Sequence, residues 1–394
     1  MIGVGQGRPH RTERRSGRTL RASERDHWIA LSLIPGIGPA GFAHLVRRHG
    51  TAASAWVAGP EGIEGLPRHL EAIAPDFRAL WRENPRELAR MVATATERVG
   101  GRVVTALDDD YPPALLTLEP RPPTLYVAGA LVAFTQRAVA IVGTRRASGY
   151  GLATATELSS ELAAAGVVVV SGLALGIDGA AHRAAVADGR PTIAVLPSAL
   201  DRVYPPRHRD LARDIVQSGG ALVTEVPIGA SVGRPDFARR NRVIAGLAEA
   251  VVVVEAPDRS GALLTAAAAI AIGARELYAV PGPIDAMASR GTNRLIADHQ
   301  AVMVTSSAAL LRQIGLSRGK RAPAVEALSE VEGQLLRHLL ERSGSIEELI
   351  DRTRQPAASV ASALALLEAR GLVETFGGAT FHPTRPAREL AGLV

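Results

Sequence analysis

The sequence predicts an α/β fold in which a doubly wound, mainly parallel sheet is covered by helices on both faces. Between Leu125 and Ile314, short apolar runs recur at nearly even spacing, and a helical pattern lies between successive runs. The run Val167–Val170 consists only of valine, as expected of a parallel strand that is buried on both faces. Because strand and helix alternate over this whole stretch, we assign residues 108–315 to a Rossmann-like domain.

Seven apolar runs are the predicted strands, because each is too short for a helix and is bounded by glycine, proline or polar residues. They are Ala138–Val142, Val167–Val170, Thr192–Leu196, Ala221–Val223, Ala250–Val254, Leu277–Val280 and Val302–Val304. Helical patterns include Thr154–Ala165, Arg207–Gln217, Arg242–Leu247 and Leu263–Ile272. The turns that leave these strands should gather at one edge of the sheet, where folds of this class bind ligands.

Composition narrows the class of protein. The chain has 394 residues, 47% of them hydrophobic, no cysteine and a net charge of +6. This length predicts two or three domains, since one core rarely exceeds about 250–300 residues. The lack of cysteine excludes disulfides and thiolate metal sites, which fits a cytoplasmic protein. No apolar run approaches the ~20 residues of a membrane span. The positive charge suggests an anionic partner.

Residues 26–107, which precede the sheet, predict a smaller helical domain. The turn Pro35-Gly36-Ile37-Gly38 leads into an amphipathic helix, which is typical of a helix-hairpin-helix or SAM-like domain. Such a turn can present backbone N–H groups to a DNA phosphate, and a hairpin that only packs fits the pattern equally well. We interpret Trp28, Trp56 and Trp81 as the core of this domain. The proline-rich segment Asp108–Pro123 is a candidate linker or flap.

Residues 1–25 form a basic tail with seven arginines and two glutamates. They lack the apolar region of a secretory signal. A solvated, disordered tail is the favoured interpretation. A non-specific nucleic-acid arm and an overlong start-codon assignment are the alternatives.

The loop after the strand Ala138–Val142 combines glycine with arginine. It reads Gly143-Thr144-Arg145-Arg146-Ala147-Ser148 and opens a helix. Glycine lets the backbone approach a ligand, and a helix N-terminus attracts an anion. The loop matches neither the dinucleotide pattern G-x-G-x-x-G nor the phosphate loop G-x-x-x-x-G-K-[ST]. Hydrolysis of nucleoside triphosphates therefore has no support.

The loop after the next strand contains Ser171, Gly172 and Gly176, followed by Asp178 and His182. An aspartate and a histidine four residues apart on a helix are compatible with an acid–base pair or with metal ligands. The favoured interpretation is a helix cap and a hydrogen bond on the helix surface. Neither a third ligand nor a nucleophile is evident nearby in the sequence.

Further positive charge is predicted at the start of a third helix. Phe237, Arg239, Arg240, Asn241 and Arg242 stand together there. Because cations at a helix N-terminus oppose the helix dipole, this placement favours an anion between them. Further anion-compatible turns contain Ser260, Gly261 and Asn293. A row of such turns along one edge suggests a polymer of phosphates.

The end of the chain predicts a separate winged-helix module at residues 327–394, after a linker at 316–326. Its predicted helices are Leu328–Leu340, Ser345–Ile350 and Ala357–Ala369, and its two wing strands are Leu372–Val373 and Thr380–Phe381. This arrangement is related to the helix-turn-helix. Because the third helix carries little positive charge, a protein-contact or regulatory role is favoured over reading of DNA.

Five segments, in order and spacing, resemble the DNA-processing protein A (DprA/Smf) family. They are VGTRRASGYG, SGLALGIDGAAH, FARRNRVIAGL, VVVVEAPDRSGALLTAAAAIAIGARELYAVPG and GTNRLI, and YPPALLTLEPRPPTLYVAG is similar to the segment that enters the family's domain. The resemblance implies a protein that binds single-stranded DNA, dimerises through its Rossmann-like domain and passes the strand to the RecA recombinase during natural transformation. It implies no enzyme activity, no cofactor and no metal site.

The predicted nucleic-acid site combines these motifs. The resemblance points to Arg145, Ser148, Ser171, Gly172, Gly176, Arg239, Arg240, Asn241, Arg242, Ser260, Gly261 and Asn293, and the loop and helix patterns add Gly143, Thr144 and Phe237. The chain departs from the family's pattern in three places. Leu175 stands where many relatives have a basic residue, Pro197 and Ala199 lie in a segment that is usually rich in glycine, and His299-Gln300 replaces a usual glycine.

Two other functions remain as alternatives. A nucleotide phosphoribohydrolase of Rossmann type would need a P-G-G-x-G-T-x-x-E loop, whereas this chain has Pro281-Gly-Pro-Ile-Asp-Ala286 and no such glutamate. A duplex-binding regulator would rest on the winged-helix module alone. The dimer is expected to involve the apolar helix Leu263–Ile272, without need of the first 100 residues or of the winged-helix module.

Overall fold

The chain divides into two compact units, one ending at Gly319 and the other beginning at Lys320. The structure is a computed structural model that describes residues 24–59, 79–273, 275–316, 328–376, 380–384 and 387. The predicted tail, apart from residues 24 and 25, and the predicted linker, apart from residue 316, lie outside the described residues. No helix in these ranges is long and apolar enough to cross a membrane.

The first unit begins with helices packed around tryptophan. They are α1 (residues 24–32), α2 (Pro39–His49), α3 (Ala52–Ala58) and α4 (Pro85–Glu97). Trp28 lies 4.7 Å from Phe42 between ring centroids, and Trp56 stacks on Trp81 at 5.5 Å. The tryptophans thus belong to a core, as the sequence predicts.

The turn between α1 and α2 uses two of its own amides. The N–H of Ile37 donates to the carbonyl of Ile34 at 3.1 Å, and the N–H of Gly38 donates to that of Gly36 at 3.0 Å. Ile34, Ile37 and Phe42 are buried in the helical core. These contacts favour the alternative in which the hairpin only packs. The two amides are already hydrogen-bonded within the turn and are not free for a phosphate.

A mixed sheet forms the centre of this unit. Its described strands are β1 (Gly101–Thr105), β2 (Thr124–Gly129), β3 (Ala138–Val142), β4 (Val168–Ser171), β5 (Thr192–Val195), β6 (Ala221–Thr224), β7 (Ala250–Val253), β8 (Glu276–Ala279) and β9 (Val302–Met303). Their order is β1-β2-β6-β5-β4-β3-β7-β8-β9. Strands β3 to β9 are parallel, which confirms the predicted fold, and β1 and β2 add an antiparallel pair at one edge.

The antiparallel pair joins the helical region to the sheet. The guanidinium of Arg25 donates to the carboxylate of Asp108 at 2.8 Å, and the indole N–H of Trp28 donates to the carbonyl of Pro123 at 2.7 Å. These hydrogen bonds cross the predicted domain boundary at residue 107. Strand β1, which precedes this boundary, also belongs to the sheet. The division into domains stays a prediction.

The proline-rich segment Asp108–Pro123 is part of the core and not a free linker. Tyr111, Leu115 and Leu118 are buried in the main hydrophobic cluster. A Cβ added at Gly246 would lie 2.8 Å from Leu115, so the segment packs directly on a helix of the α/β layer. The spacing of these three residues fits one face of a helix, but Pro112 and Pro113 argue against a helix, so the sequence favoured a linker or flap.

The remaining helices of the first unit cover the sheet. They are α5 (Gly149–Ala164), α6 (Ile177–Ala187), α7 (Arg209–Gln217), α8 (Arg234–Leu247), α9 (Ala262–Ile272), α10 (Arg290–Ala297) and α11 (Ser307–Gln313). In β3, Val139 and Ile141 face the cluster that contains α5, α6 and α11, whereas Ala140 and Val142 face the cluster that contains α8 and α9. Both faces of β3 are therefore buried, whereas Val302 and Met303 of the edge strand β9 are exposed.

One helix begins earlier than the sequence predicts. Helix α8 starts at Arg234, eight residues before the predicted Arg242. Pro235 lies in its first turn, and the carboxylate of Asp236 accepts a hydrogen bond from the N–H of Gly233 at 2.6 Å. Both features favour a helix start. The polar residues that follow hide this start from a search for apolar periodicity.

The second unit is a winged helix. Its elements are α12 (Glu330–Glu341), β10 (Gly344–Ser345), α13 (Ile346–Thr353), α14 (Ala357–Ala369), β11 (Val373–Phe376) and β12 (Thr380–Pro383), with strand order β10-β12-β11. Leu335, Leu349, Val360 and Leu364 are buried in its core. The predicted helices and the two-stranded wing are confirmed, and β10 is an additional strand, too short to be predicted from pattern.

Candidate functional site

The parallel sheet has its switch point at β3, which pairs with β4 on one side and with β7 on the other. The loops that follow β3 and β7 diverge there, and such a crevice is where folds of this class bind ligands. A cleft of about 410 Å³ opens at this place. It is lined by 142–146, Ala174, Asp178, Phe237, Arg240, Asn241, Ile244, 257, 259–262, Leu264 and Thr265.

The cleft is positively charged. Four of its lining side chains are arginines, namely Arg145, Arg146, Arg240 and Arg259, against the single acidic residue Asp178. Arg145, Arg146 and Arg259 are exposed, whereas Arg240 and Asp178 are buried. Three guanidinium groups are therefore available to an anion from solvent, and arginine suits phosphate through paired hydrogen bonds.

The loop after β3 is held by a glutamate that sequence reasoning missed. The buried carboxylate of Glu255 accepts hydrogen bonds from the Ser148 N–H at 2.9 Å and from the Ser148 hydroxyl at 2.5 Å. The Glu255 carbonyl accepts the N–H of Thr144 at 2.7 Å. Glu255 directly follows a predicted strand, which is the signal that marks it. The Glu255 carboxylate lies at the N-terminus of helix α5. This helix N-terminus is therefore already occupied by an anionic side chain of the protein.

Three glycines are needed for close packing around this loop: Gly143 and Gly176, which were predicted, and Gly151, which was not. A Cβ on Gly143 would lie 2.4 Å from Ile177, and one on Gly151 would lie 2.3 Å from the Glu255 carboxylate. Gly176 has φ +76°, and its Cβ would lie 2.3 Å from the Thr144 carbonyl. Gly143 and Gly176 thus bring the loops after β3 and β4 together.

Several residues that were predicted to contact DNA make hydrogen bonds within the protein instead. The hydroxyl of Ser171 donates to the Ile141 carbonyl at 2.6 Å and is fully buried. Ser148 caps α5 through the N–H of Gly151 at 3.0 Å. Asn293 clasps Gly282 through both of its amide atoms, at 2.9 and 3.1 Å, and does not line the cleft. These side chains shape the loops.

The buried side chain of Arg240 links several backbone segments of the site. Its guanidinium donates to the carbonyl of Gly172 and, at 3.0 Å, to that of Val195, so it ties the ends of β4 and β5 together. Its Nε–H donates to Asn241 at 3.0 Å, and the Asn241 amide donates to the Gly261 carbonyl at 3.2 Å. Burial lowers the pKa of Arg240 to about 10, against the opposing effect of Asp178. Arg240 therefore remains charged at neutral pH.

Arg239 and Arg242 do not line the cleft. Arg239 pairs with Asp236 one turn earlier, and Arg242 donates to the Pro120 carbonyl. Both lie inside α8, so the expectation that they stand at a helix start is wrong. The argument that they oppose the helix dipole fails for the same reason. Residues that are close in sequence point in different directions because each step along a helix turns by about 100°.

An aromatic pair lies beside the arginines. The guanidinium of Arg145 lies over the ring of Phe237, 5.4 Å from its centroid. Tyr204 meets the same ring edge-on at 5.7 Å and is 44% exposed. Tyr204 was not predicted, since its loop is far from Phe237 in sequence. The three side chains offer charge and flat apolar surface together.

Asp178 and His182 do not form an acid–base pair. Asp178 accepts the N–H of Gly172 at 3.1 Å, and burial raises the pKa of its carboxyl, against the opposing charge of Arg240. Nδ1 of His182 bonds Thr192 at 2.8 Å, and burial lowers the pKa of this histidine to about 3. Both residues are structural, but the expected hydrogen bond on the helix surface is wrong, because both side chains are buried and His182 bonds Thr192 of β5. Among the described residues, no three histidine or acidic side chains converge in a way that suits a metal ion.

Ser260 and Gly261 line the cleft where α9 begins, as the sequence predicts. The N–H of Ala262 lies 3.3 Å from the hydroxyl of Ser260. The structure thus brings together Gly143, Thr144, Arg145, Phe237, Arg240, Asn241, Ser260 and Gly261, with Gly172 and Gly176 in the supporting loops. A Rossmann-like sheet with an arginine-lined cleft at its switch point defines a class of anion-binding α/β domain.

Comparison with known proteins gives the family. Residues 102–315 match the family described as DNA recombination-mediator protein A, and residues 319–379 match the DprA winged helix domain. The chain belongs to this family. The first match contains every residue of the cleft.

Relatives cover most of the chain. Protein Smf of Escherichia coli is 36% identical over 332 residues, which span 82% of this chain and 88% of the relative. A putative DNA processing protein DprA of Mycobacterium tuberculosis is 36% identical over 372 residues, which span 88% of each chain.

Two solved structures are similar as well. DNA processing protein A of Streptococcus pneumoniae has a TM-score of 0.56 and 30% identity and covers 73% of this chain and 97% of its own. DNA processing protein A of Helicobacter pylori, studied for its single-stranded DNA binding mode, has a TM-score of 0.50 and 28% identity and covers 54% of this chain and 95% of its own.

Proposed function

We propose that this protein binds single-stranded DNA in the cleft at the switch point, protects the strand and loads the RecA recombinase during natural transformation and recombination. The observation that carries the proposal is the combination of three exposed arginines with the rings of Phe237 and Tyr204. Arginines attract the phosphates, and exposed rings stack on bases, whose faces are free only in a single strand. Membership of the family and the DNA-binding relative from Helicobacter pylori support it.

Binding without catalysis is part of the proposal. Asp178 and His182 are buried and hydrogen-bonded to the protein, and Glu255 holds a loop. Asp178 lines the cleft, but its carboxylate accepts the N–H of Gly172, and neither His182 nor Glu255 lines the cleft, so none of the three is placed as a general base would be. We propose neither nuclease activity nor hydrolysis of nucleoside triphosphates. Purified protein that cleaves DNA or releases phosphate, with the activity lost in Asp178→Ala, would contradict this.

The first test is binding of a fluorescent single strand and of the matching duplex at two or more salt concentrations. We expect the single strand to bind more tightly, with an affinity that falls as salt rises. Arg145→Ala should weaken binding and lower the salt slope by roughly 0.7, the value of one phosphate contact on a single strand.

Arg190→Ala is the matched control for this variant. Arg190 is exposed and precedes β5, so it lies at the amino ends of the parallel strands, opposite the cleft. The control removes the same charge from the unit and should leave the salt slope unchanged. Equal slopes in the two variants, or tighter binding of the duplex, would refute the placement of the site.

Loading of RecA has its own test. RecA hydrolyses ATP on single strands, and a single-strand-binding protein that coats the DNA delays this. We expect the full-length chain to shorten the delay and Arg145→Ala to shorten it less. A chain that binds single strands normally but leaves the delay unchanged would refute the loading step and retain the DNA-binding step.

A further inference from the structure

One buried histidine joins two loops that both carry residues of the site. His208 lies at the N-terminus of α7, and its Nδ1 atom lies 2.9 Å from the carbonyl oxygen of Leu173, in the loop after β4. Because a carbonyl only accepts hydrogen bonds, Nδ1 carries the proton and donates it. The side chain of His208 is buried and does not line the cleft. The bond therefore connects the two loops inside the protein.

Leu173 needs this bond because its backbone conformation is one that leucine rarely adopts. Its φ is +55°, in the left-handed region that favours glycine. The side chain of Leu173 is fully buried in the cluster that contains Leu200 and Leu211. The buried side chain and the bonded carbonyl together hold the loop after β4 in shape, and Ala174, the next residue, lines the cleft.

His208 also fixes the segment that carries Tyr204. Pro205 and Pro206 stand close before the histidine and restrict the backbone. The N–H of His208 donates to the Pro205 carbonyl at 3.0 Å, so this short segment forms a tight turn. The position of the imidazole therefore determines where the ring of Tyr204 lies, and this ring meets Phe237 edge-on at 5.7 Å.

The imidazole is closely packed on its other side. Its Nε2 atom lies 3.4 Å from Nη1 of Arg183. A Cβ added at Gly179 of α6 would lie 2.6 Å from Cε1 of His208. The glycine thus leaves the ring the space in which its Nδ1–H points at Leu173.

We propose that His208 is a positioning residue for single-strand binding. Through its bond to Leu173 it holds the loop after β4 against the segment of Tyr204, and so keeps the Tyr204 ring beside Phe237. The inference rests on the proposed function, because the affinity that His208 alters is that for the strand in the cleft. Its effect comes from the shape of the site and not from charge.

The first test is a double-mutant cycle on the affinity of the full chain for a short single strand. We expect Tyr204→Ala to weaken binding by about ten-fold and His208→Leu by about five-fold, because the one removes and the other displaces a stacking ring. The double variant should bind within about two-fold of Tyr204→Ala, since two residues that act through one contact are not additive. An additive loss of about fifty-fold would overturn the proposal.

His208→Asn is the matched control. The side-chain amide nitrogen of asparagine is as far from the backbone as Nδ1 of histidine, so this variant keeps a donor toward Leu173. It should keep the original affinity, and the amide hydrogen exchange of Gly172 and Ala174 should be faster in His208→Leu alone. An asparagine variant that is folded by tryptophan fluorescence but binds as weakly as the leucine variant would refute the role of this hydrogen bond.

A second pair of variants moves the histidine without removing it. Gly179→Ala places a methyl group against Cε1 and should also weaken binding by about five-fold. Adding His208→Asn to this variant should restore the affinity, because asparagine lacks the ring atoms that the methyl group meets. General damage to the fold would not be repaired in this way. Failure of the rescue would therefore contradict the proposal even if His208→Leu did not fold.

The outcomes separate this inference from the proposed function. Tight single-strand binding by the original chain and by His208→Leu alike would overturn the positioning role and leave the cleft standing. An affinity that Tyr204→Ala does not change would overturn the route through the Tyr204 ring. Failure of the original chain to bind any single strand would overturn the proposed function, and the role of His208 with it.

Discussion

Neighbouring arginines of α8 show how differently one residue type can act within a short segment. Arg239 is partly exposed and pairs with Asp236, whereas Arg240 is buried among backbone carbonyls. Asp236 is buried, but Arg239 reaches solvent, which screens the pair, and Asp236 keeps the N–H of Gly233 as a donor when Arg239 is removed. A buried charge that loses its partner is costly, and the loss of Arg240 would leave Asp178 uncompensated.

Replacement of Arg240 should therefore act through folding. We expect Arg240→Ala to lower the free energy of unfolding by about 3–5 kcal/mol. Arg240→Lys should recover only part of it, since a lysine can replace Nη1 at the two carbonyls but lacks the Nε–H that donates to Asn241. Arg239→Ala should cost less than about 1 kcal/mol. The measurement is urea unfolding followed by tryptophan fluorescence, since all three tryptophans lie in the first unit. Equal losses of unfolding free energy in Arg240→Ala and Arg239→Ala would contradict a structural role of Arg240.

His182 predicts a dependence of stability on pH. Its pKa is lowered from 6.5 to about 3 by burial, so the unfolded chain takes up a proton near pH 6.5 that the folded chain accepts only near pH 3. Stability contributed by neutral His182 is complete above pH 6.5 and falls as the pH drops, by about 1.4 kcal/mol per pH unit. Asp178 and Glu225, whose pKa values are raised by burial, have the opposite sign in the acid range.

A variant isolates the histidine from these carboxyls. His182→Asn keeps a donor toward Thr192 and removes the titrating ring. Between pH 7.5 and 5.5, the original chain should lose about 1.4 kcal/mol relative to the variant. If the free energies of unfolding of the two proteins changed with pH in parallel over this range, His182 would take up its proton in the folded chain as well.

At the scale of elements, one loop illustrates how a site is held. The loop after β3 carries Arg145 and Arg146, and the carboxylate of Glu255 anchors it through Ser148. Hydrogen bonds to a charged group contribute about 1.5–3 kcal/mol each. A residue at the end of a neighbouring strand thus helps to position the loop, together with the close packing at Gly143.

Glu255→Ala should release this loop. We expect faster amide hydrogen exchange in residues 143–151 and a lower free energy of unfolding, by about 2–3 kcal/mol. Glu87→Ala removes the same charge from an exposed position on α4 and should leave the exchange of residues 143–151 unchanged. Unchanged exchange in the Glu255 variant would mean that packing at Gly143 and Gly151 alone positions the loop.

Sequence patterns predicted elements well where apolar runs were unbroken and poorly where proline or polar residues interrupted them. The strands β3 to β8 appear within about two residues of their predicted positions, because two buried faces demand unbroken apolar runs. The start of α8 was missed, since its first turns are polar on most sides and its signals are a proline and an aspartate. The packing of Tyr111, Leu115 and Leu118 was missed because the prolines around them indicate a linker, although the spacing of the three residues is helical.

At the scale of the molecule, exposed apolar residues bear on assembly. Leu264 and Ile270 on α9 are 55% and 47% exposed, and Val302 on the edge strand β9 is 50% exposed. The other side of α9 packs on the sheet through Ala266 and Ala269. This surface is compatible with the predicted two-fold dimer of the Rossmann-like domain, which remains a proposal.

The dimer is tested by light scattering at micromolar concentration. We expect the full chain and a chain ending at Gly319 to be dimers, and Ile270→Glu to be monomeric, because a charge in a covered apolar face is costly. Val57→Glu, at an exposed position on α3, should stay dimeric. Because β1 lies in the sheet, a fragment that begins at residue 108 would lack its edge strand and is not a suitable test. A monomeric full chain would contradict the proposal.

The sequence by itself determined the class of fold, the winged-helix module and the loops from which the cleft is built. Those features depend on local periodicity, glycine and turn chemistry, which neighbouring residues specify. Only the tertiary structure decided which side chains face the cleft. Glu255, Tyr204 and the commitment of Arg240 to backbone carbonyls arise from contacts between residues far apart in sequence. Such contacts depend on how strands and helices pack in three dimensions, and no local pattern encodes them.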